Sequence, residues 1–181
     1  MRTLQQALSE HELVVLRVIG EWHGLDLIGK DKHQAVEELA ERLAQIDLLS
    51  EMEYMAPEES LALADLMRQG GRAPIGIFTR DHGEVRLMGP GRMEREEPWL
   101  DPASPTESLW YQGFLFRGFD KTDDGPLEFY YIPQELFDRL SPPKALYIKE
   151  SPNAAEPLLQ SVTAPDTDCN KGSAALGDSF M

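Results

Sequence analysis

Six arginines, Arg72, Arg80, Arg86, Arg92, Arg95 and Arg117, punctuate one stretch of an otherwise acidic chain. A guanidinium grips phosphate through two parallel hydrogen bonds, so arginines spaced in this way are the natural candidates for contact with a nucleic-acid backbone. Residues 68–117 hold seven basic and seven acidic side chains and are formally neutral, which leaves the net charge of -15 to the rest of the chain. A polyanion-facing surface, if the protein has one, belongs to this window, with Lys30 and Lys32 as a second small cationic spot. The competing reading pairs the same arginines with Glu94, Glu96, Glu97 and Asp101 nearby. Because phosphate neutralisation supplies most non-specific affinity, so acidic a chain is expected to bind DNA weakly and locally, at three or four phosphates.

Other chemistry is sparse. His11, His23, His33 and His82 are scattered, none at the short spacing that joins two metal ligands on one element, and Cys169 is the single cysteine, so no metal site is expected. There is no Walker motif ending in Ser or Thr, no Gly-x-Ser-x-Gly and no His-Glu-x-x-His, which removes nucleotide hydrolysis and the main hydrolase signatures. Glu96-Glu97 and Asp123-Asp124 read as solvated charge pairs rather than as an acid and a base. The expectation is no enzyme and no cofactor. Trp99, Trp110, Tyr111, Phe114, Phe116, Phe119, Phe129, Tyr130 and Tyr131 suit either a base-stacking platform or an interior. A small helical domain needs most of them inside.

The elements that would position these residues follow from periodicity. Residues 3–8 predict a short helical turn. Residues 12–22 predict a helix whose apolar stripe is Leu13, Leu16, Val18, Ile19 and Trp22. Residues 31–45 predict the clearest helix, with Ala35, Val36, Leu39, Ala40 and Leu43 at helical spacing. A further turn follows at 47–54, then a helix from 58 to 69 opened by Pro57 and closed by Gly70-Gly71. Arg72-Ala73-Pro74 reads as a connection into a short helix at 75–82. Residues 84–101, interrupted by Gly89-Pro90-Gly91 and Pro98, read as a long ordered connection. Ser104-Pro105-Thr106-Glu107 is a capping box with proline at the first helical position, opening a helix to about residue 114. From Leu115 the period becomes two: Leu115, Arg117 and Phe119 alternate, Asp124-Gly125 turns the chain, and Phe129 and Tyr131 share a face of the returning strand. A last helical turn is expected at 134–140.

After residue 140, prolines and small polar residues take over, a composition that buries too little apolar surface to order itself, so 141–181 reads as a tail or linker, and the chain as the front end of a longer protein or a truncated gene product. Only 145–148 is apolar enough to pair as an edge strand. No run of eighteen apolar residues and no secretory leader is present, which suits a cytoplasmic protein without a membrane anchor.

Two resemblances add to this. The helix ending at Gly24-Leu25, then Gly29-Lys30, Lys32, Val36, Leu39 and Arg42-Leu43, resembles a SAP-type helix-loop-helix, a small nucleic-acid-associated module. VRLMGPGRMEREEPW, SPTESLWYQGFLFRGF and EFYYIP together resemble bacterial helicase-associated proteins that carry the N-terminal region described for XPB/Ssl2-type helicases, over residues 4–140. That resemblance implies a non-catalytic accessory region, linked to DNA, built from a SAP-like hairpin and a winged helix, with any motor elsewhere.

The expected fold is mainly α with a small β-hairpin: a SAP-like helical hairpin at 1–55, a winged-helix (helix-turn-helix) domain at 56–140 and a Pro-rich tail at 141–181. The expected function is a DNA-associated accessory module of a helicase-like or DNA-processing system, with DNA and a helicase or other protein as partners and the oligomeric state open. The alternative is a winged-helix protein-interaction adaptor without DNA contact. The candidate DNA-facing residues are Arg72, Arg80, Arg86, Arg92, Arg95, Arg117, Lys30 and Lys32.

Overall fold

The computed structural model describes residues 2–122 and 125–140; the expected tail, its edge strand and the Asp123-Asp124 tip of the hairpin lie outside the described residues. Helix α1 (Leu4–Ser9) starts at a reciprocal cap between Thr3 and Gln6, and α3 (Lys32–Ala44) at the same device between Asp31 and Gln34. Each cap satisfies backbone donors that the first turn leaves free. Between them runs α2 (Leu13–Trp22). Its stripe buries Leu16, Val18 and Ile19, but Trp22, expected inside, is 59% exposed. It is the last residue of α2.

Helix α4 (Leu48–Tyr54) leads to α5 (Pro57–Arg68), which ends at Gly70 and Gly71, both in the left-handed region. Arg72-Ala73-Pro74 is not a bare connection: it is a strand, β1 (Arg72–Pro74), antiparallel to β3 (Gly125–Tyr131), with Arg72 opposite Tyr131. Strand β2 (Phe116–Thr122) pairs with the other edge of β3, so the expected hairpin is a three-stranded antiparallel sheet in the order β1-β3-β2. Between β1 and β2 lie α6 (Ile75–His82), α7 (Pro90–Glu96) and α8 (Pro105–Gln112). The 84–101 connection therefore contains a helix of its own, started by Pro90 at its first position, where the missing N–H costs nothing. Helix α9 (Gln134–Leu140) follows β3. It is tied back to the start of the chain by Leu4 N–H donating to Glu135 at 2.7 Å and Gln134 N–H donating to the Arg2 carbonyl at 3.2 Å.

The hairpin's phase differs from the expected alternation. Phe116 and Gly118 face inward, whereas Phe119 is exposed and pairs across from Glu128. Only glycine fits at the inward position 118, because a Cβ there would lie 2.5 Å from the Phe129 ring. The last three residues of strand β3, Phe129, Tyr130 and Tyr131, are buried on both faces. Tyr130 packs on Phe78 of α6 at 5.7 Å, and Tyr131 on Phe116 at 6.1 Å. One cluster of buried residues runs from Leu4 to Leu136, so segments 1–55 and 56–140 share an interior. Leu63, Leu66, Phe78, Leu109, Phe114, Leu115, Phe129 and Tyr131 are buried members of it, and the half-buried Trp110 packs against it.

His11, just before α2, is 5% exposed, with its ring edge-on to Trp110 at 4.5 Å and beside Phe116 at 5.1 Å. Burial, aided by the positive charge of Lys32, lowers its pKa from 6.5 to about 4. A histidine with a depressed pKa makes stability fall with pH through the window in which the unfolded chain is protonated and the folded one is not, and the loss persists below it. This effect is absent above pH ~6.5, grows as pH falls and is complete near pH ~4, where it reaches roughly 3 kcal/mol. Urea titrations between pH 7 and 4 should therefore show a loss of stability that is smaller in His11→Phe, the remainder coming from the buried His23 and His82 and from paired carboxylates. Equal loss in both proteins would mean that His11 is not buried neutral.

Candidate functional site

The arginines expected to face phosphate come from β1, α6, the 84–89 segment, α7 and β2, and most of them meet carboxylates first. Arg86 is the one paired with a fully buried carboxylate. Its Nη2 donates to Glu107 at 2.8 Å and its Nε at 3.0 Å, while Glu107, 0% exposed, also accepts the backbone N–H of Arg86 at 3.0 Å and of Ala103 at 2.6 Å. The Glu107 hydrogen bond raises the Arg86 pKa further, fixing the charge. The expected capping box is therefore half present. Ser104 accepts from Glu107 N–H at 3.1 Å, but the Glu107 carboxylate turns away from Ser104 toward Arg86.

Arg92 donates to Glu96 at 2.7 Å, one helical turn along α7, and that bond holds Glu96 below the usual carboxylate range. Arg72 lies over the Phe129 ring at 3.6 Å and pairs with Asp120 at 2.6 Å. Arg117 pairs with Glu128 across the hairpin at 2.6 Å. Lys30 pairs with Glu38. The predicted pairing of arginine with acid thus occurs, but mostly with Glu107, Asp120 and Glu128 rather than with Glu94, Glu97 or the Asp101 carboxylate. Arg95 donates to the Gly91 carbonyl at 3.2 Å and has no ion pair among the described residues. Arg80 and Lys32 are exposed and likewise unpaired. Pairs as exposed as Arg92–Glu96 contribute little stability, yet each must be broken or shared before its arginine can hold a phosphate.

Helix α8 is the second feature that decides what this face can do. It carries no lysine or arginine, and none of its eight residues is exposed: Thr106, Glu107, Leu109, Tyr111 and Gln112 are buried and the other three are half-buried. Helix α2 packs on it at Gly113, where φ is +78° and a Cβ would lie 2.7 Å from Cγ2 of Ile19. Buried His23, just past α2, meets the Gln112 carbonyl through Nε2 at 2.7 Å. The Thr106 hydroxyl donates to the His82 carbonyl at 3.0 Å. The His82 ring contacts Asp65 at 2.7 Å, and burial lowers its pKa against the raising effect of Asp81. Each of these histidines has a structural use, and among the described residues no three His, Cys, Asp or Glu side chains gather in a way that could hold a metal. No described helix is long and apolar enough to cross a membrane.

Sequence reasoning missed one surface where exposed apolar groups cluster around a cleft. Trp22 at the end of α2 and Leu100, 73% exposed, lie beside Trp99 in adjoining clefts of about 390 and 490 Å3. Trp22 and Trp99 were visible as aromatics, but nothing in their spacing brings together residues so far apart in the chain. Comparison with protein-family models, curated proteins and solved structures finds no match.

Proposed function

We propose that this chain is a non-catalytic protein-interaction module of winged-helix type. The winged-helix reading draws on the order α5-β1-α6-α8-β2-β3, with α7 as an insertion between α6 and α8, β3 central in the antiparallel sheet and β2-β3 as the wing. In that arrangement α8 occupies the position from which a DNA-binding winged helix would enter the major groove. The observation that carries the proposal is the burial of α8 beneath α2 and its lack of any cationic residue. Most of the flanking arginines are held by carboxylates, which removes the compensating phosphate grip. The resemblance to helicase-associated proteins suggests that the partner belongs to DNA-processing machinery.

Direct DNA association remains the second reading, favoured by one observation: Arg80, Arg95 and Lys32 are free of carboxylate partners among the described residues. Anisotropy titrations of labelled duplex and single-stranded DNA at low salt separate the two. The proposal expects no saturable binding at high micromolar protein. Saturable binding with a log-log salt slope of roughly -3 for a duplex, lost in a Lys32→Ala/Arg80→Ala/Arg95→Ala variant, would establish the DNA reading instead.

A further inference from the structure

We infer that the Trp22–Trp99–Leu100 cleft is the docking site, and that its occupant is a partner segment with an aromatic or leucine anchor flanked by lysine or arginine. The inference rests on the protein-interaction reading and names the surface and partner chemistry for it. The cleft forms where the end of α2 meets the 97–105 loop, α8 and the start of α5. Two adjoining hollows, about 390 and 490 Å3, share Trp22, Trp99, Leu100, Pro102 and Ser108, sizes within the roughly 300–1,000 Å3 of clefts that hold ligands. Trp99 is held in place by an edge-on contact with buried Tyr111, ring centres 6.0 Å apart at 68°. Trp22 and Leu100 stand beside it largely in water.

The backbone is shaped to present this group. Glu97 has φ 43°, the only left-handed non-glycine among the described residues, and closes α7 by donating its N–H to the Met93 carbonyl at 2.9 Å. Its own carbonyl accepts from Leu100 N–H at 2.9 Å, so 97–100 forms a tight turn that exposes Leu100. Left-handed backbone at a glutamate is unfavourable and persists where surrounding structure fixes it.

Charge selects the occupant. Glu21 and Glu97 line the first hollow and Glu58 and Glu59 the second, and no lysine or arginine lines either. Glu59 receives a hydrogen bond from Gln112 at 3.3 Å, while Glu21, Glu58 and Glu97 have no hydrogen-bonded or ion-paired side-chain partner among the described residues. An apolar floor inside a ring of uncompensated carboxylates repels a nucleic-acid backbone. It also disfavours a second copy of a chain whose net charge is -15. A segment that places a large apolar side chain between Trp22 and Leu100 and lysine or arginine beside the four glutamates meets both requirements.

A display library of random dodecapeptides selected on the immobilised full chain tests this. Enriched peptides, synthesised and labelled, are titrated against wild type, a Trp22→Ala/Leu100→Ala variant and a Glu21→Lys/Glu58→Lys/Glu97→Lys variant, all checked for an intact thermal transition. The expected peptides carry an aromatic or leucine anchor with basic flanks, and both variants bind them at least tenfold more weakly. Peptides without basic residues, or binding unchanged by the variants, would overturn the cleft while leaving a protein-interaction module in place. Failure to enrich any peptide would overturn the cleft, and saturable DNA binding in the separate titration would overturn the wider reading. Trp22-dependent self-association of the full chain would hand the cleft to a second copy and overturn the proposal too.

Discussion

Glu107→Ala should be strongly destabilising, costing about 2–4 kcal/mol, because it strips a buried acceptor from two backbone N–H groups, while the half-exposed Arg86 partner keeps the ion pair below the cost of a fully buried one. The carboxylate is fully buried and binds the Arg86 side chain, the Arg86 N–H and the Ala103 N–H together, so it joins the 84–89 segment to the residues that open α8. Truncation removes the acceptor shared by two backbone donors and the guanidinium, which keeps the Asp101 carbonyl at 2.9 Å. Glu107→Gln keeps one acceptor oxygen and the side-chain shape, and should fall between Glu107→Ala and wild type. Urea unfolding of the three proteins measures this. A midpoint for Glu107→Ala within error of wild type would mean that the carboxylate is solvated and the pair is incidental.

Gly113→Ala should be comparably destabilising, because two penalties act at one position. The left-handed backbone disfavours any Cβ by roughly 1–2 kcal/mol, and forcing a methyl against a packed side chain adds about 1–3 kcal/mol. The obstacle is Cγ2 of Ile19, 2.7 Å from the ideal Cβ and on a β-branched side chain that cannot swing clear. An Ile19→Ala background makes room, so the double variant should lose less than the two single losses added together. Strict additivity in thermal or urea unfolding would separate Gly113 from α2 and with it the burial of α8.

Much of the fold is legible where signals are local. The helices at Leu13–Trp22, Lys32–Ala44, Pro57–Arg68 and Pro105–Gln112 follow from apolar spacing, first-turn prolines and terminal glycines, and the hairpin from alternation around a glycine turn. Strand β1 is not legible because three residues ending in proline show no period. It exists only because β3, almost sixty residues further on, supplies its hydrogen bonds. Helix α7 was hidden by glycines and prolines that mark its start as readily as they mark a loop. The phase of β2 was lost because Gly118, which carries no hydrophobic signal, occupies an inward position.

The site was harder still. The arginine window is visible as composition, yet a charge count cannot say which arginine reaches water. Arg72 meets Asp120 forty-eight residues away and Arg86 meets Glu107 twenty-one away. The nearby acids are the ones the sequence brings forward, and of these only Glu96 forms an ion pair with one of the arginines. Trp22 and Leu100 converge for the same long-range reason. In the sequence, Trp22 is simply the last member of a helical stripe.

Helix α8, which the proposed winged-helix reading puts in the groove-reading position, is interior. Native-state hydrogen exchange at the backbone amides of Leu109, Trp110, Tyr111 and Gln112 in the full chain tests it most directly. If α2 covers α8, these amides exchange only through global unfolding, with opening free energies that match the stability measured by urea and fall in step with it in Gly113→Ala. Exchange through local openings of far lower free energy, unaffected by Gly113→Ala, would show α8 free to meet a ligand and would contradict the account.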